Sequence, residues 1–226
     1  MKYYAIIVAG GSGSRMQSEI PKQFLLLSGR PVLMHTIEAF YRSDLNPHII
    51  LVLNKGYREY WNRLCADHRF NIPHKLVDGG EQRFHSVKNG LKEIPPGSIV
   101  AIHDAVRPMV SGKLITSCFE QAQEKGAVVC GVTSRDSVRL LIDNSSRCFN
   151  RESVYLIQTP QVFPYKMLAE AYEQPYLPEF TDDASVVEKA GHSIAIVEGE
   201  SGNIKITFPE DIEIAEALLK KRIRKL

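Results

Sequence analysis

From residue 5 to residue 132 the chain alternates short apolar runs with segments of helical period, and this rhythm restricts the fold more than any other feature. AIIVA (5–9), HIILVLN (48–54), HKLVDGG (74–80), SIVAIHDA (98–105) and AVVCGV (127–132) are short, β-rich and bounded by turn residues, as strands buried on both faces are. Between them, PVLMHTIEAFYRS (31–43), YREYWNRLCADH (57–68), HSVKNGLKEI (85–94) and KLITSCFEQAQEKG (113–126) predict helices. Pro31 opens the first of these and Gly126 closes the last. Strands separated by helices at this spacing predict an α/β, Rossmann-like, mostly parallel sheet with helices on both faces.

The rhythm breaks at 133–157. Charged and apolar residues alternate there around DNSS, a turn cluster, which predicts a protruding β-hairpin arm in place of another βαβ unit. MLAEAYEQ (167–174) and TDDASVVEKAG (181–191) then predict helices, the second with Thr181 as its N-cap. SIAIVEGE (193–200) predicts a strand, and residues 209–226 a helix opened by Pro209. No internal repeat or low-complexity linker interrupts the chain, so residues 1–226 are expected to form one domain that carries the arm.

Net charge is +2 and no long basic run occurs, which argues against nucleic acid as a partner. No apolar stretch approaches the ~20 residues of a membrane helix, and no leader-like segment precedes the first strand. The four cysteines, at 65, 118, 130 and 148, lack CxxC spacing. A cytoplasmic protein with ordinary reduced thiols is expected.

The first strand runs into GGSGSRMQSEIPK, three glycines followed by Arg15 and Lys22. A Walker loop requires Gly-Lys-Ser/Thr, but Ser14-Arg15 follows Gly13. A dinucleotide fingerprint requires a third glycine where Met16 stands. Taken alone the stretch reads either as a tight turn or as a nest of N–H groups for phosphate. Two cations, the second stiffened by Pro21, favour phosphate; a solvated Arg and Lys is the alternative.

AGGSGSRM followed by PKQF resembles the signature of sugar-nucleotide and alditol-phosphate nucleotidyltransferases. DGGEQRFHSV (78–87), HDAVRP (103–108), RDSV (135–138), QTPQVF (158–163), TDDASVVE (181–188) and NIKITFPED (203–211) follow in that order. The set spans the chain and is similar to the 2-C-methyl-D-erythritol 4-phosphate cytidylyltransferase family. That resemblance implies attack of an alditol phosphate on the α-phosphorus of CTP, with pyrophosphate leaving. A phosphate monoester is mostly dianionic at neutral pH, so the nucleophile requires no general base.

The resemblance implies catalytic roles for Arg15, Lys22 and Arg151. Ala9, Gly10, Gly11, Gly13, Asp104 and Ala105 are implied around the nucleotide phosphates. Gly80, Glu81, Arg83 and Ser86 are implied around the base, where a tight turn admits a pyrimidine. Arg83 reads alone as a surface arginine as readily as a loop support. Arg107, Ser137, Thr181 and Lys205 are implied at the alditol phosphate, Ser137 standing where threonine is usual. A divalent cation, Mg²⁺, is expected at Asp104, and His103 is expected to be structural. Ser137 and Arg151 lie on the predicted arm, which in the family crosses a homodimer to the neighbouring site.

Gly202 stands where the family often carries an acidic residue, so either Asp104 suffices for the metal or Glu200 substitutes. A ribitol-phosphate cytidylyltransferase with the same CTP machinery is the near alternative, which TDDAS disfavours. A catalytically inactive nucleotide-binding module is the alternative of another class.

Overall fold

The computed structural model describes residues 2–10 and 20–223. In chain order its elements begin with β1 (Tyr3–Ala9), β2 (Leu26–Leu27), β3 (Arg30–Pro31), α1 (Val32–Tyr41), β4 (His48–Leu53) and α2 (Arg58–Asp67). Next come β5 (Lys75–Asp78), α3 (Arg83–Leu91), β6 (Ile99–Asp104), α4 (Gly112–Lys125) and β7 (Val128–Thr133). The remainder comprises β8 (Val138–Ile142), β9 (Ser145–Phe149), β10 (Tyr155–Pro164), α5 (Tyr165–Ala171), α6 (Asp183–Lys189), β11 (Ala195–Glu198) and α7 (Glu210–Ile223).

Seven strands form one sheet in the order β11-β7-β10-β6-β1-β4-β5. β1, β4, β5 and β6 run parallel, as do β7 and β11. Alternate side chains of the buried strands feed two cores. Ala5 and Ile7 face α1, α2 and α4, where Phe40, Trp61 and Phe119 are fully buried. Ile6 faces α3, α5 and α6, where Val87, Leu168 and Val187 are buried. A third cluster packs Leu27, Val32 and Ile206 around Ala215 of α7.

β10 departs from the sequence expectation. Its first residues were expected to close the hairpin, but the strand continues through Pro164 and pairs antiparallel with both β6 and β7. Pro160 lacks an N–H for a central ladder, and the register shifts between Ile157 and Gln161 to accommodate it. The hairpin is the shorter pair β8–β9. It turns at Asp143 and Asn144, both with positive φ (47° and 60°), as a two-residue hairpin turn requires.

The N-cap of α6 is Asp182, not Thr181. Asp182 Oδ1 accepts from Ser185 N at 2.9 Å and Ser185 Oγ accepts from Asp182 N at 3.3 Å, a reciprocal capping box. All four cysteines are free thiols. Among the described residues no helix is long and apolar enough to cross a membrane.

Candidate active site

Parallel pairing brings the carboxyl ends of β1, β4 and β6 to one edge of the sheet, where an open α/β fold holds its ligands. A cleft of about 520 Å³ opens there. Ala9, Gly10, Lys22, Gly80, Glu81, Arg83, Ser86, Asp104, Ala105 and Lys205 all line it. Gly11, Gly13 and Arg15 lie outside the described residues.

Lys22 reaches this cleft from a 3-10 turn, Lys22–Phe24, that follows Pro21. The turn is anchored on both sides. Phe24 is buried edge-on to Tyr60 at 5.1 Å, and Gln23 Nε2 donates to Ala9 O at 3.0 Å. Gln23 was not singled out from the sequence, although it sits inside PKQF and ties that motif to the end of β1.

The 79–86 loop closes around one hydroxyl. Ser86 Oγ accepts from Gly80 N at 3.0 Å and donates to Gln82 O at 3.1 Å. A Cβ on Gly80 would lie 2.3 Å from His85 Cβ and 2.9 Å from its carbonyl carbon, so only glycine fits. A Cβ on Gly10 would meet Ser86 Oγ at 3.1 Å, which keeps β1 and this loop close. Ser86 therefore shapes the pocket that its loop borders.

Asp104 is the hub of the site. Lys205 Nζ lies 3.0 Å and Arg107 Nε 3.3 Å from its Oδ2, and Arg83 Nε is 3.8 Å from Oδ1. Burial alone would raise its pKa, but the charges of Arg83, Lys205 and Arg107 prevail and hold it well below the usual carboxylate range. Arg107 also donates to Asn203 O at 2.9 Å, which ties HDAVRP to NIKIT.

Arg83 is neither a surface arginine nor only a loop support. It forms a bidentate pair with Asp183 at 2.8 and 2.6 Å, and Asp183 is fully buried. Tyr172 donates to the same carboxylate at 2.6 Å. Neither partner is visible from local spacing, because they come from segments far along the chain.

His103 is fully buried with both ring nitrogens engaged. Nε2–H donates to Arg107 O at 3.2 Å, which leaves Nδ1 to accept from the Thr159 hydroxyl at 3.0 Å. Thr159 Oγ1 in turn accepts from Asp104 N at 3.1 Å. Burial pushes the His103 pKa down to about 4 against the opposing pull of Asp104. The imidazole is a neutral strut beneath Asp104.

A second cleft of about 350 Å³ adjoins the first and shares Arg83, Asp104 and Lys205 with it. Arg107 and Thr181 also line it. Ser137 and Arg151 were expected to act from the arm on a neighbouring site. Ser137 and Arg151 are exposed on the arm and line neither cleft within this chain. Arg151 Nη1 donates to Arg135 O at 3.2 Å.

Glu200 lines neither cleft. Its carboxylate is taken by the Ser111 hydroxyl and by Ser111 N at 3.2 Å, at the start of α4. Among the described residues no group of three or more His, Cys, Asp or Glu side chains could hold a metal. Asp104 is the one described carboxylate that lines both clefts. Its Oδ2 carries two close cations, and Arg83 Nε lies farther off, at 3.8 Å from Oδ1. One carboxylate fits Mg²⁺ when phosphates and waters supply the other ligands.

A sequence model of the family IspD, 2-C-methyl-D-erythritol 4-phosphate cytidylyltransferase, matches residues 3–221. The enzyme of that name from Phocaeicola vulgatus is 50% identical over 219 residues, covering 97% of this chain and 100% of the relative. The one from Bacteroides fragilis is 51% identical over 215 residues, covering 95% of this chain and 98% of the relative. The crystal structure of 4-diphosphocytidyl-2C-methyl-D-erythritol synthase from Anaerococcus prevotii superposes with a TM-score of 0.83 at 32% identity, covering 97% of this chain and 96% of that one.

Proposed function

The chain belongs to the 2-C-methyl-D-erythritol 4-phosphate cytidylyltransferase family, and we infer from its adjoining clefts how it works. It transfers the cytidylyl group of CTP to 2-C-methyl-D-erythritol 4-phosphate, giving 4-diphosphocytidyl-2-C-methyl-D-erythritol and pyrophosphate, a step of the non-mevalonate isoprenoid pathway. One observation carries the mechanism. Two clefts share a wall of Arg83, Asp104 and Lys205, so two anionic substrates can meet across it.

In this reading CTP occupies the larger cleft. Its base sits against the 79–86 loop and its phosphates against Gly10 and Lys22, with Gly11, Gly13 and Arg15 assigned to them by the sequence motif. A backbone-lined turn closed on Ser86, with no space for a Cβ at Gly80, supports selection of a pyrimidine. The alditol phosphate occupies the smaller cleft, with its phosphate on Arg107 and Lys205 and Thr181 beside it. That phosphate is already an adequate nucleophile, so the protein supplies orientation and positive charge. Lys22 and Arg15 neutralise charge that grows on the α-phosphate and the leaving pyrophosphate. Asp104 would hold Mg²⁺, which would supply further charge neutralisation at the phosphates.

The arm reads as a dimer element of a cytoplasmic homodimer. Leu141 is 74% exposed and Leu156 at its base 55%, with Leu140, Ile142 and Phe149 also exposed. A lone hairpin is marginal in water and such side chains favour cover. A second copy of the chain supplies that cover, and Ser137 and Arg151 then face the neighbour's alditol-phosphate cleft.

The reading is tested by incubating the protein with CTP and either 2-C-methyl-D-erythritol 4-phosphate or ribitol 5-phosphate, and assaying pyrophosphate. Release with the first at a rate far above the second is expected. Preference for ribitol 5-phosphate, or no release with either, contradicts it.

A further inference from the structure

The smaller cleft is polarised, and its polarity bears on how an alditol phosphate lies in it. Arg83, Arg107 and Lys205 gather around Asp104 at the wall shared with the nucleotide cleft. Asp182 also lines the smaller cleft but not the larger one. Among the described residues Asp182 makes no ion pair; neutral donors hold its carboxylate instead. Gln161 Nε2 donates to Oδ2 at 2.8 Å and Ser185 N donates to Oδ1 at 2.9 Å. Gln161 is itself fixed. It is 1% exposed, and its Oε1 accepts from the N–H groups of Asp183 and Ala184 at 3.0 and 2.9 Å. A carboxylate oxygen accepts two hydrogen bonds, so each oxygen of Asp182 retains capacity for a further donor.

We propose that Asp182 is a specificity-determining residue that accepts a hydrogen bond from a hydroxyl of the alditol chain, with Gln161 as the positioning residue behind it. The proposal rests on the reading of the smaller cleft given above. The substrate has two unlike ends. Its phosphate must reach the α-phosphorus of CTP, so it belongs at the shared cationic wall. A fixed anion at Asp182 repels that phosphate and attracts what the other end offers, which is hydroxyl donors at C1, C2 and C3. The cleft thereby selects the orientation in which the phosphate faces the nucleotide. A carboxylate held by a buried amide, with no cation to neutralise it, retains its full strength as an acceptor.

The test uses the full chain and 2-C-methyl-D-erythritol 4-phosphate together with three analogues lacking the C1, C2 or C3 hydroxyl. Asp182→Asn keeps an oxygen for the Ser185 N–H but turns an amide NH2 toward Gln161 Nε2, so its Tm is read alongside its kinetics. Its KM for the alditol phosphate is expected to rise roughly 10- to 100-fold, the usual effect of losing a hydrogen bond to a charged group. Its KM for CTP is expected to stay within about twofold of wild type. One deoxy analogue should lose that same factor in kcat/KM with the wild-type enzyme and almost nothing more with Asp182→Asn. Gln161→Glu keeps an acceptor for the two backbone N–H groups but turns an anion toward Asp182. It is expected to cost stability, because two carboxylates cannot both stay ionised at that distance in a buried setting, and to raise the KM for the alditol phosphate while leaving the KM for CTP within about twofold. An unchanged alditol-phosphate KM in Asp182→Asn, or equal losses with every analogue in both enzymes, overturns the proposal. A Gln161→Glu variant whose two KM values change together, or not at all, overturns the positioning role. Wild-type enzyme that releases no pyrophosphate overturns the underlying reading, and the proposal with it.

Discussion

Arg83 grips Asp183 through two hydrogen bonds, at 2.8 and 2.6 Å, across 100 residues of sequence. Arg83 opens α3 beside the 79–86 loop, Asp183 opens α6 beside the smaller cleft, and Tyr172 joins them from the end of α5. Phe84 stacks on Tyr172 at 4.7 Å and seals the pair from one side. One carboxylate thus ties the walls of both clefts together.

Replacing Asp183 by Asn leaves Arg83 with only the longer Asp104 contact, at 3.8 Å, as counter-ion. Removing one partner of a buried pair costs about 3–5 kcal/mol. The Arg83 side chain is 31% exposed, so the lower end of that range is expected. Tyr172→Phe removes one hydrogen bond to a charged group and should cost roughly 1–3 kcal/mol. Urea unfolding measures both. A loss below about 1 kcal/mol for Asp183→Asn would show that the pair does not hold the clefts together.

His103 makes stability depend on pH. Its pKa is pushed down to about 4 in the folded chain, against 6.5 in the unfolded one. Between those values the unfolded chain binds a proton that the folded chain refuses, so stability falls as pH drops from about 6.5 toward 4. Burial lowers the pKa values of His35 and His74 as well and adds to the slope. His103→Gln isolates one contribution. From pH 7 to pH 5 the wild type should lose about 2 kcal/mol more than the variant. Parallel stability curves would contradict a buried neutral His103.

Most elements were legible because hydrophobic periodicity reports burial directly. The strands at 5–9, 48–54 and 98–105 and the helices between them are found within a few residues of expectation. β10 was missed because Pro160 masks a central strand; the register shift that accommodates the proline is a tertiary feature. Thr181 was taken as the N-cap because Thr is a good cap, but Asp182 follows it and its carboxylate is the stronger acceptor. The residues lining the clefts were named from motifs at strand ends. Their partners were not, since Arg83–Asp183 and Glu200–Ser111 join segments whose proximity exists only after folding. Glu200 looked available for a metal because its sequence neighbourhood carries no trace of Ser111.

The arm yields a prediction about two chains. Lys22→Ala should lower kcat by roughly 10²- to 10³-fold, as loss of one group acting on the transition state does. Arg151→Ala should mainly raise the KM for the alditol phosphate. Mixing the two variants under conditions that exchange subunits restores one complete site per mixed dimer if Arg151 serves the neighbour. Activity is then expected to reappear. No recovery despite demonstrated exchange would assign Arg151 to its own chain.

The most direct measurement follows the oxygen that joins the two substrates. 2-C-methyl-D-erythritol 4-phosphate labelled with ¹⁸O in its phosphate is turned over with unlabelled CTP, and the products are read by ³¹P NMR and mass spectrometry. Attack of the alditol phosphate on the α-phosphorus predicts label in the bridge between the two phosphorus atoms of the cytidylyl product, with unlabelled pyrophosphate released in equal amount. Release of CMP or CDP in place of pyrophosphate, or label in the pyrophosphate, would contradict the account.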